Sequence, residues 1–312
     1  MKKFIKIFSI ALIIISIAIY FIIDYAVENV LPYSIIRPSR VTADDIRKFN
    51  DGVVLPSDLN LKYEQFDITV EDTLKLKGWF IHSQIQPATG TIFLLHGIGN
   101  SKSVMLRTSK MLVEQGFNCV VYDSRANGES GGLNCTFGYY EKKDLSAYID
   151  SAIVLFSGSG PFAVFGTSLG AAVAIQAMSE DHRIVCGIAQ SPFGSLREIV
   201  RDYFSRVIVL SINSIPDNSL NKAEVIAHFS ADSVQPLLSA SKITQPTMIV
   251  HGLNDSHIKP EYGKQIYENL RSPVKIWYPI EQAGHNDVSA IGGQIYNREI
   301  ISFFKKYLTE GL

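Results

Sequence analysis

The apolar and polar positions divide the chain into regions of different character. An almost unbroken apolar run follows the first lysines in MKKFIKIFSIALIIISIAIYFIID. In LKYEQFDITV and TLKLKGWFIHS, polar and apolar residues alternate around Glu71 and Asp72, which predicts an antiparallel hairpin with one face in water. Short continuous apolar runs follow, separated by stretches with helical spacing: TIFLLHG, CVVYDS, FAVFGTS, IVCGIAQS, PTMIVHG and VKIWYPI. Such runs are typical of strands buried on both faces, so they predict crossover units in a mostly parallel α/β sheet.

The first apolar run is long enough to cross a bilayer. From Phe4 to Ile23 it covers about 30 Å at helical rise, and Lys6 can snorkel to the interface. A cleaved signal peptide is the alternative, but its apolar region is usually shorter, and Asp24-Tyr25-Ala26 is a poor cleavage site. The sequence therefore favours an uncleaved anchor in residues 1–23.

The charges beside this run favour one orientation. Lys2, Lys3 and Lys6 precede it, whereas only Arg37 and Arg40 follow closely. By the positive-inside rule, this bias predicts a single-pass anchor in the cytoplasmic membrane, with a cytoplasmic N-terminus and an extracytoplasmic catalytic domain.

Residues 24–60 have the pattern of a connecting segment. Thr42 and Asp45 predict a helix start with a capping box. Prolines interrupt the segment at three positions: Pro32, Pro38 and Pro56. We expect these residues to tether a domain that spans residues 61–312.

Composition narrows the classes of function. At 312 residues with 46% hydrophobic content and a net charge of −1, the chain can bury a sizeable core, and its charge gives no sign of a nucleic-acid partner. Cys119, Cys135 and Cys186 are odd in number and match no metal or redox spacing. We therefore expect no catalytic role for the cysteines, and we expect no metal and no cofactor.

A hydroxyl stands at the bend in FAVFGTSLGAAVAI, residues 162–175. Ser and Gly are ordinary turn residues, so a structural interpretation exists. The functional interpretation is a nucleophile elbow, G-x-S-x-G, in which Gly166 and Gly170 permit a turn tight enough to expose Ser168. Five residues alone do not decide between the two.

Partners for Ser168 occur beyond two later strands, where ligands collect in open α/β sheets. Asp255 follows PTMIV in HGLNDSHIKP, and His285 follows VKIWYPI in EQAGHNDV. The chain order Ser, Asp, His is the one that accompanies this elbow. An imidazole can take the serine proton near neutral pH, and a carboxylate can orient it. Together the three residues predict a catalytic triad.

Two backbone amides are the expected oxyanion hole. One belongs to Leu169, at the start of the helix after the nucleophile. For the other, in LLHGIGNSKS, we favour the amide of Ile98 over that of Gly99. The same stretch fails as a phosphate loop, because Ser101 replaces the glycine required before Lys102.

From about residue 61 to the end, the chain resembles an α/β-hydrolase of the serine aminopeptidase-like and monoacylglycerol-lipase-like branch. The motifs that carry the resemblance are HGIG, VVYDSRANGES, GTSLG, HGLND and AGH, in the family order. The resemblance implies the α/β-hydrolase fold, a mostly parallel sheet with helices on both faces and a short helical cap. The transmembrane helix predicted before this domain lies outside the resemblance, as do all of residues 1–60. One departure is Ala126, where such proteins often have glycine. The motifs are specific for the superfamily and not for a substrate.

The same resemblance bears on the cysteines. It places two strands between those that carry Cys119 and Cys186, which puts the two about 14 Å apart at sheet spacing and excludes a disulfide. We interpret both as buried small apolar residues, and Cys135 in a glycine-rich loop as a free thiol.

A long connection at residues 193–242 is the expected cap insertion. Its aromatic residues are candidates for an acyl pocket: Phe193, Tyr203, Phe204 and Phe229. Each could instead pack the cap onto the sheet.

The sequence therefore predicts a membrane-anchored serine hydrolase that cleaves carboxylic esters or thioesters through an acyl-enzyme. Its expected partners are small-molecule or lipid-like substrates with a small to medium acyl group. A serine aminopeptidase-like peptidase and a non-catalytic binding protein of the same fold are the alternatives. The sequence does not identify the acyl group, the leaving group or the oligomeric state.

Overall fold

A computed structural model describes residues 2–207 and 213–308. The strands are β1 (Tyr63–Gln65), β2 (Ile68–Val70), β3 (Leu74–Leu76), β4 (Gly78–Ile81), β5 (Thr91–Leu95), β6 (Asn118–Tyr122), β7 (Phe162–Thr167), β8 (Ile184–Gln190), β9 (Thr247–Gly252) and β10 (Lys275–Ile280). The helices are α1 (Lys2–Asn29), α2 (Leu31–Ile36), α3 (Ala43–Phe49), α4 (Leu106–Val113), α5 (Glu141–Leu155), α6 (Leu169–Met178), α7 (Leu196–Val207), α8 (Ser214–Ala227), α9 (Pro236–Ala240), α10 (Pro260–Asn269) and α11 (Val288–Tyr307).

The apolar runs form the predicted sheet. Its strand order is β1-β4-β6-β5-β7-β8-β9-β10. The strands from β6 to β10 in this order run parallel, and β1 and β4 join antiparallel at one edge. The mostly parallel α/β fold is confirmed. Because the carboxyl ends of the parallel strands share one edge, the loops after β5, β7, β9 and β10 meet there.

Helices cover both faces of this sheet. On one face Phe93 and Val164 join a buried cluster with side chains of α5 and α6. On the other face the adjacent residues Leu94 and Phe165 join a second cluster with side chains of α4 and α11. The alternation of a strand sends neighbouring residues to opposite faces, so strands buried on both sides are apolar throughout.

The predicted hairpin also forms. Strands β2 and β3 pair antiparallel in a small separate sheet. The turn places Glu71 at φ 49° and Asp72 at φ 60°, a left-handed conformation that Asp tolerates better than most residues.

The cysteines lie where the resemblance places them. Cys119 is on β6 and Cys186 on β8, with β5 and β7 between them. Both thiols are free and buried, as is that of Cys135. Burial raises the pKa of each thiol well above its usual value, so none is an activated nucleophile.

The N-terminal helix is longer than the apolar run alone indicates. It continues past Ile23 to Asn29, and its side chains from Phe4 to Tyr25 are exposed. The stretch is long and apolar enough to span a membrane. Val27, near its end, is buried, and this last part of α1 packs against α8.

The connecting segment differs from the expected tether, because it packs onto the domain. Ile36 is fully buried, and its carbonyl accepts a hydrogen bond from the amide of Cys135 at 2.7 Å. The Arg40 guanidinium donates to the carbonyls of Gly128, Ser130 and Gly132 at 2.6–2.8 Å. Further along, Thr42 and Asp45 form the predicted capping box of α3.

A helical insertion between β8 and β9 forms the cap. Its helices are α7, α8 and the short α9, within the predicted residues 193–242. The first two helices join it, since α2 packs against α8 and Glu28 of α1 pairs with Lys222 of α8. The part of the cap sequence at residues 208–212 lies outside the described residues.

Candidate active site

Ser168 occupies a sharp turn between β7 and α6. Its φ of 54° and ψ of −117° are strained for a residue with a side chain. No side chain fits at the two flanking glycines. A Cβ on Gly166 would lie 2.2 Å from the carbonyl oxygen of Gly170, and a Cβ on Gly170 would lie 2.3 Å from the carbonyl oxygen of Leu95. Strand and helix therefore approach closely enough to hold the half-buried serine above the sheet edge.

A line of hydrogen bonds joins three residues from three loops. The Nε2 atom of His285 lies 3.0 Å from Oγ of Ser168, and its Nδ1 atom lies 2.7 Å from Oδ2 of Asp255. The three side chains are those predicted from the sequence. The carboxylate accepts from Nδ1, so the neutral imidazole presents the lone pair of Nε2 to the serine hydroxyl.

The Asp255 carboxylate is stabilised in its charged form. Its Oδ1 atom accepts hydrogen bonds from the amides of His257 and Ile258, both at 2.8 Å. Burial by itself favours the neutral acid, but hydrogen bonds from His251, His285 and the Ile258 amide outweigh it and lower the pKa of Asp255 far below its usual range. The acid is therefore an anion that can orient His285.

In the loop after β5, two neighbouring amides differ in their hydrogen bonding. The amide of Gly99 donates to Oδ1 of Asn127 at 2.9 Å, which leaves the neighbouring amide of Ile98 for another acceptor. Among the described residues, neither the Ile98 amide nor the Leu169 amide at the start of α6 has a hydrogen-bond acceptor. These are the two donors that the sequence predicts for an oxyanion.

His96 supports this loop through hydrogen bonds between its ring and two backbone groups. Its Nδ1 atom donates to the carbonyl of Gly97 at 2.7 Å, and its Nε2 atom accepts from the amide of Ser124 at 3.0 Å. Burial lowers the pKa of His96, which keeps the ring neutral. Both ring nitrogens are thus occupied by backbone groups, in agreement with a structural role.

Two other buried acidic residues, Asp123 and Asp144, organise loops near the site. Asp123 accepts from the amide and the ammonium of Lys102, at 2.6 and 2.8 Å. Asp144 accepts two hydrogen bonds from Arg125, at 2.8 and 2.7 Å. All four side chains are buried, and none of the four lines a cavity that reaches Ser168.

An apolar cavity of about 420 Å³ opens beside Ser168. Three predicted pocket residues line it: Phe193, Tyr203 and Phe204. The fourth, Phe229, is a correction: it is absent from the lining, and its ring packs edge-on against Tyr139 with centroids 6.2 Å apart. Phe229 therefore has the packing role that was the alternative.

A second cavity, of about 350 Å³, also adjoins Ser168. It is lined largely by groups that form hydrogen bonds, including Asn100, Thr108, Thr167, Gln190, Ser191, His257 and Asn286. The buried hydroxyl of Ser191 has no hydrogen-bond partner in the described part of the chain. Ile98, Ser168 and Tyr203 border both cavities, so the nucleophile stands between an apolar and a polar space.

Sequence reasoning missed several residues of the site. Leu31 and Ile35 of α2 line the apolar cavity, although they lie in the segment interpreted as a connection. Asn127 fixes the oxyanion loop from a distant position in the chain. His251, four residues before Asp255, has its Nε2 atom 3.4 Å from Oδ2 of that carboxylate. No local pattern marks Leu31, Ile35 and Asn127, because each acts through a contact between distant segments.

Known proteins share this architecture. A family model described as serine aminopeptidase, S33, matches residues 86–235. Esterase Pf2001 of Pyrococcus furiosus superposes with a TM-score of 0.70 and 26% identity, over 87% of this chain and 99% of the esterase. The α/β hydrolase domain-containing protein WAV2 of Arabidopsis thaliana is 25% identical over 82% of this chain and 83% of its own. The chain belongs to the α/β-hydrolase superfamily.

A further relative of this hydrolase bears on its N-terminal helix. The uncharacterized membrane protein YNL320W of Saccharomyces cerevisiae is 23% identical over 74% of this chain and 76% of its own.

The structure also shows the departure from the family pattern at Ala126. This buried residue has φ 63°, in the left-handed region that favours glycine. It lies in the loop that Arg40 holds and not among the three hydrogen-bonded residues.

Proposed function

We propose that this hydrolase is a membrane-anchored serine esterase that cleaves carboxylic esters or thioesters through an acyl-enzyme intermediate. The acyl group is apolar and of medium size, and the leaving group is polar. The observation that carries the proposal is the position of the Ser168 hydroxyl, which is hydrogen-bonded to His285 and borders both an apolar and a polar cavity.

In the proposed reaction Ser168 Oγ attacks the carbonyl carbon while His285 Nε2 takes its proton. The oxyanion accepts hydrogen bonds from the amides of Ile98 and Leu169. The imidazolium, stabilised by the Asp255 carboxylate, then gives the proton to the departing alcohol or thiol. Water attacks the acyl-enzyme in the same way, and the acid leaves.

The cavity linings favour esters over peptides with a free N-terminus. An aminopeptidase must hold the α-ammonium of its substrate, and a carboxylate is the group that pairs with it. Of the described residues that line the two cavities, none is Asp or Glu. The unpartnered Ser191 hydroxyl suits a neutral polar leaving group instead.

A substrate panel tests this proposal. The full-length protein in detergent is first labelled with a fluorophosphonate, and then assayed with nitrophenyl esters, a thioester series and aminoacyl anilides of graded size. We expect labelling at Ser168 and turnover of esters with a medium acyl chain. Preference for anilides would favour the peptidase, and a folded protein without labelling at Ser168 would favour a binding protein.

We also propose that α1 anchors the protein in the cytoplasmic membrane with the hydrolase domain outside. Its length, its apolar surface and the lysines that precede it support this placement, as does the membrane relative from yeast. Protease added to intact cells should digest the domain. A domain that stays protected until the membrane is lysed would reverse the orientation.

A further inference from the structure

The apolar cavity has a wall that comes from outside the catalytic domain. Leu31, Ser34 and Ile35 of α2 line it together with the α7 residues Val200 and Tyr203. Helix α2 begins two residues after α1 ends. The segment next to the apolar N-terminal helix therefore forms part of the space that adjoins Ser168.

This wall is fixed to the rest of the molecule. Ile35 and Ile36 are buried, α2 packs against α8, and Glu28 pairs with Lys222 across the same contact. Beyond α2, Arg40 donates to three carbonyls of the loop at residues 128–132. Contacts with α8 and with this loop thus hold α2 in place.

The mouth of the cavity lies close along the chain to the end of α1. The more exposed lining residues mark this mouth: Ser34, Tyr203 at 42% exposure and Ile98 at 38%. Asn29 ends α1 at most about 9 Å beyond Ile23, the end of the apolar span, at 1.5 Å per residue. The headgroup layer is about 5–7 Å thick on each side of the hydrocarbon core. With α1 in a bilayer, as proposed, the mouth would therefore lie close to the headgroups.

We propose that the substrate is an amphiphilic ester resident in this same bilayer, and that α2 determines which acyl chains are accepted. This inference rests on the proposed esterase function and on the proposed anchor. The acyl chain passes between α2 and α7 into the apolar cavity, while the polar part of the molecule occupies the cavity of Gln190 and Ser191. Transfer of an apolar chain from lipid to such a cavity exposes little of it to water, so it adds no large hydrophobic cost.

A pair of adjacent substitutions tests the role of α2. Leu31→Trp places bulk in the cavity lining, whereas Val30→Trp adds the same side chain at an exposed neighbour that does not line it. With full-length protein in detergent, the ratio of kcat/KM for nitrophenyl octanoate to that for nitrophenyl acetate should fall at least tenfold in Leu31→Trp and stay within twofold in Val30→Trp. Equal ratios in the two variants would overturn the assignment of α2.

A binding measurement separates this inference from the esterase proposal. In the Ser168→Ala background, which removes the nucleophile, a fluorescent medium-chain fatty acid should bind and be displaced by decanoate, and Leu31→Trp should weaken it at least fivefold. Binding that depends on Leu31, combined with no ester turnover by the wild type, would refute the esterase proposal alone. Turnover with binding insensitive to Leu31 would refute the role of α2 alone.

The membrane source of the substrate has its own test. A flexible ten-residue Gly-Ser insertion after Asn29 separates the anchor from α2, and the same insertion after Gly158 serves as the control, since Gly158 lies in a surface turn with open space around it. In proteoliposomes, hydrolysis of an octanoyl ester embedded in the vesicle should fall at least fivefold for the Asn29 insertion only, with the rate on a water-soluble octanoyl ester unchanged. An equal loss on both esters, or on neither, would contradict a substrate taken from the bilayer.

Discussion

The side-chain oxygen of Asn127 lies 2.9 Å from the amide nitrogen of Gly99. This bond removes the Gly99 amide from the choice of oxyanion donors and leaves that of Ile98. The other end of the Asn127 amide donates to the carbonyl of Arg125 at 2.9 Å, so the loop after β5 is fixed to the loop after β6. The orientation of the proposed oxyanion donor thus depends on a buried side chain that lines neither cavity beside Ser168.

Removal of this bond should slow catalysis more than it weakens binding. We expect Asn127→Ala to lower kcat by about tenfold to hundredfold, because small displacements of a catalytic group are costly, with a smaller change in KM. The rate of fluorophosphonate labelling should fall in parallel. Asn134→Ala, which removes only a hydrogen bond from Arg37, is the control. Unchanged kcat in folded Asn127→Ala would contradict the positioning role.

The triad residues should behave as one unit. Ser168→Ala and His285→Ala should each reduce ester turnover by roughly four or more orders of magnitude, whereas Asp255→Asn should leave somewhat more activity. Circular dichroism checks that each variant is folded. If purified Ser168→Ala retains near-normal activity, another residue is the nucleophile.

The stability contributed by Asp255 should depend on pH. Its pKa is lowered in the folded protein, so its contribution is present above the pKa of the unfolded chain, about 4, and is lost as pH falls below that value. The difference in unfolding free energy between the wild type and Asp255→Asn should therefore shrink between pH 6 and pH 3. Urea titrations across this range measure it. A difference that grows on acidification would show the opposite shift.

Arg40 should matter for stability although it is largely exposed. Its charge-assisted hydrogen bonds to the loop carbonyls lead us to expect a loss of about 2 kcal/mol in Arg40→Ala. Arg37→Ala, which loses one longer bond of 3.3 Å, should cost less. Trypsin should also cut residues 37–60 faster in Arg40→Ala. Equal stability of both variants would indicate that the segment is a loose tether after all.

The sequence predicted the parts of the molecule that follow local rules. Strands buried on both faces appear as continuous apolar runs, and the elbow at Ser168 requires glycines that can be read directly. Asp255 and His285 were found because the carboxyl ends of parallel strands share an edge.

The rest depends on contacts between distant segments. Phe229 has the same aromatic character as Phe193, yet it packs against Tyr139 and not in the cavity. Leu31 and Ile35 lie in a stretch whose prolines indicate a connection, and only the packing of α2 against α8 places them beside Ser168. Asn127 likewise has no pattern that distinguishes it from an ordinary turn residue.

Direct detection of the acyl-enzyme tests whether Ser168 is the nucleophile. Full-length protein is mixed with nitrophenyl octanoate, quenched in acid within the first turnovers, digested and analysed by mass spectrometry, with Ser168→Ala treated in parallel. We expect an octanoyl adduct on the peptide that contains Ser168, and we expect no such adduct in Ser168→Ala. Steady turnover by the wild type with the adduct on another residue, or with equal turnover by Ser168→Ala, would contradict it.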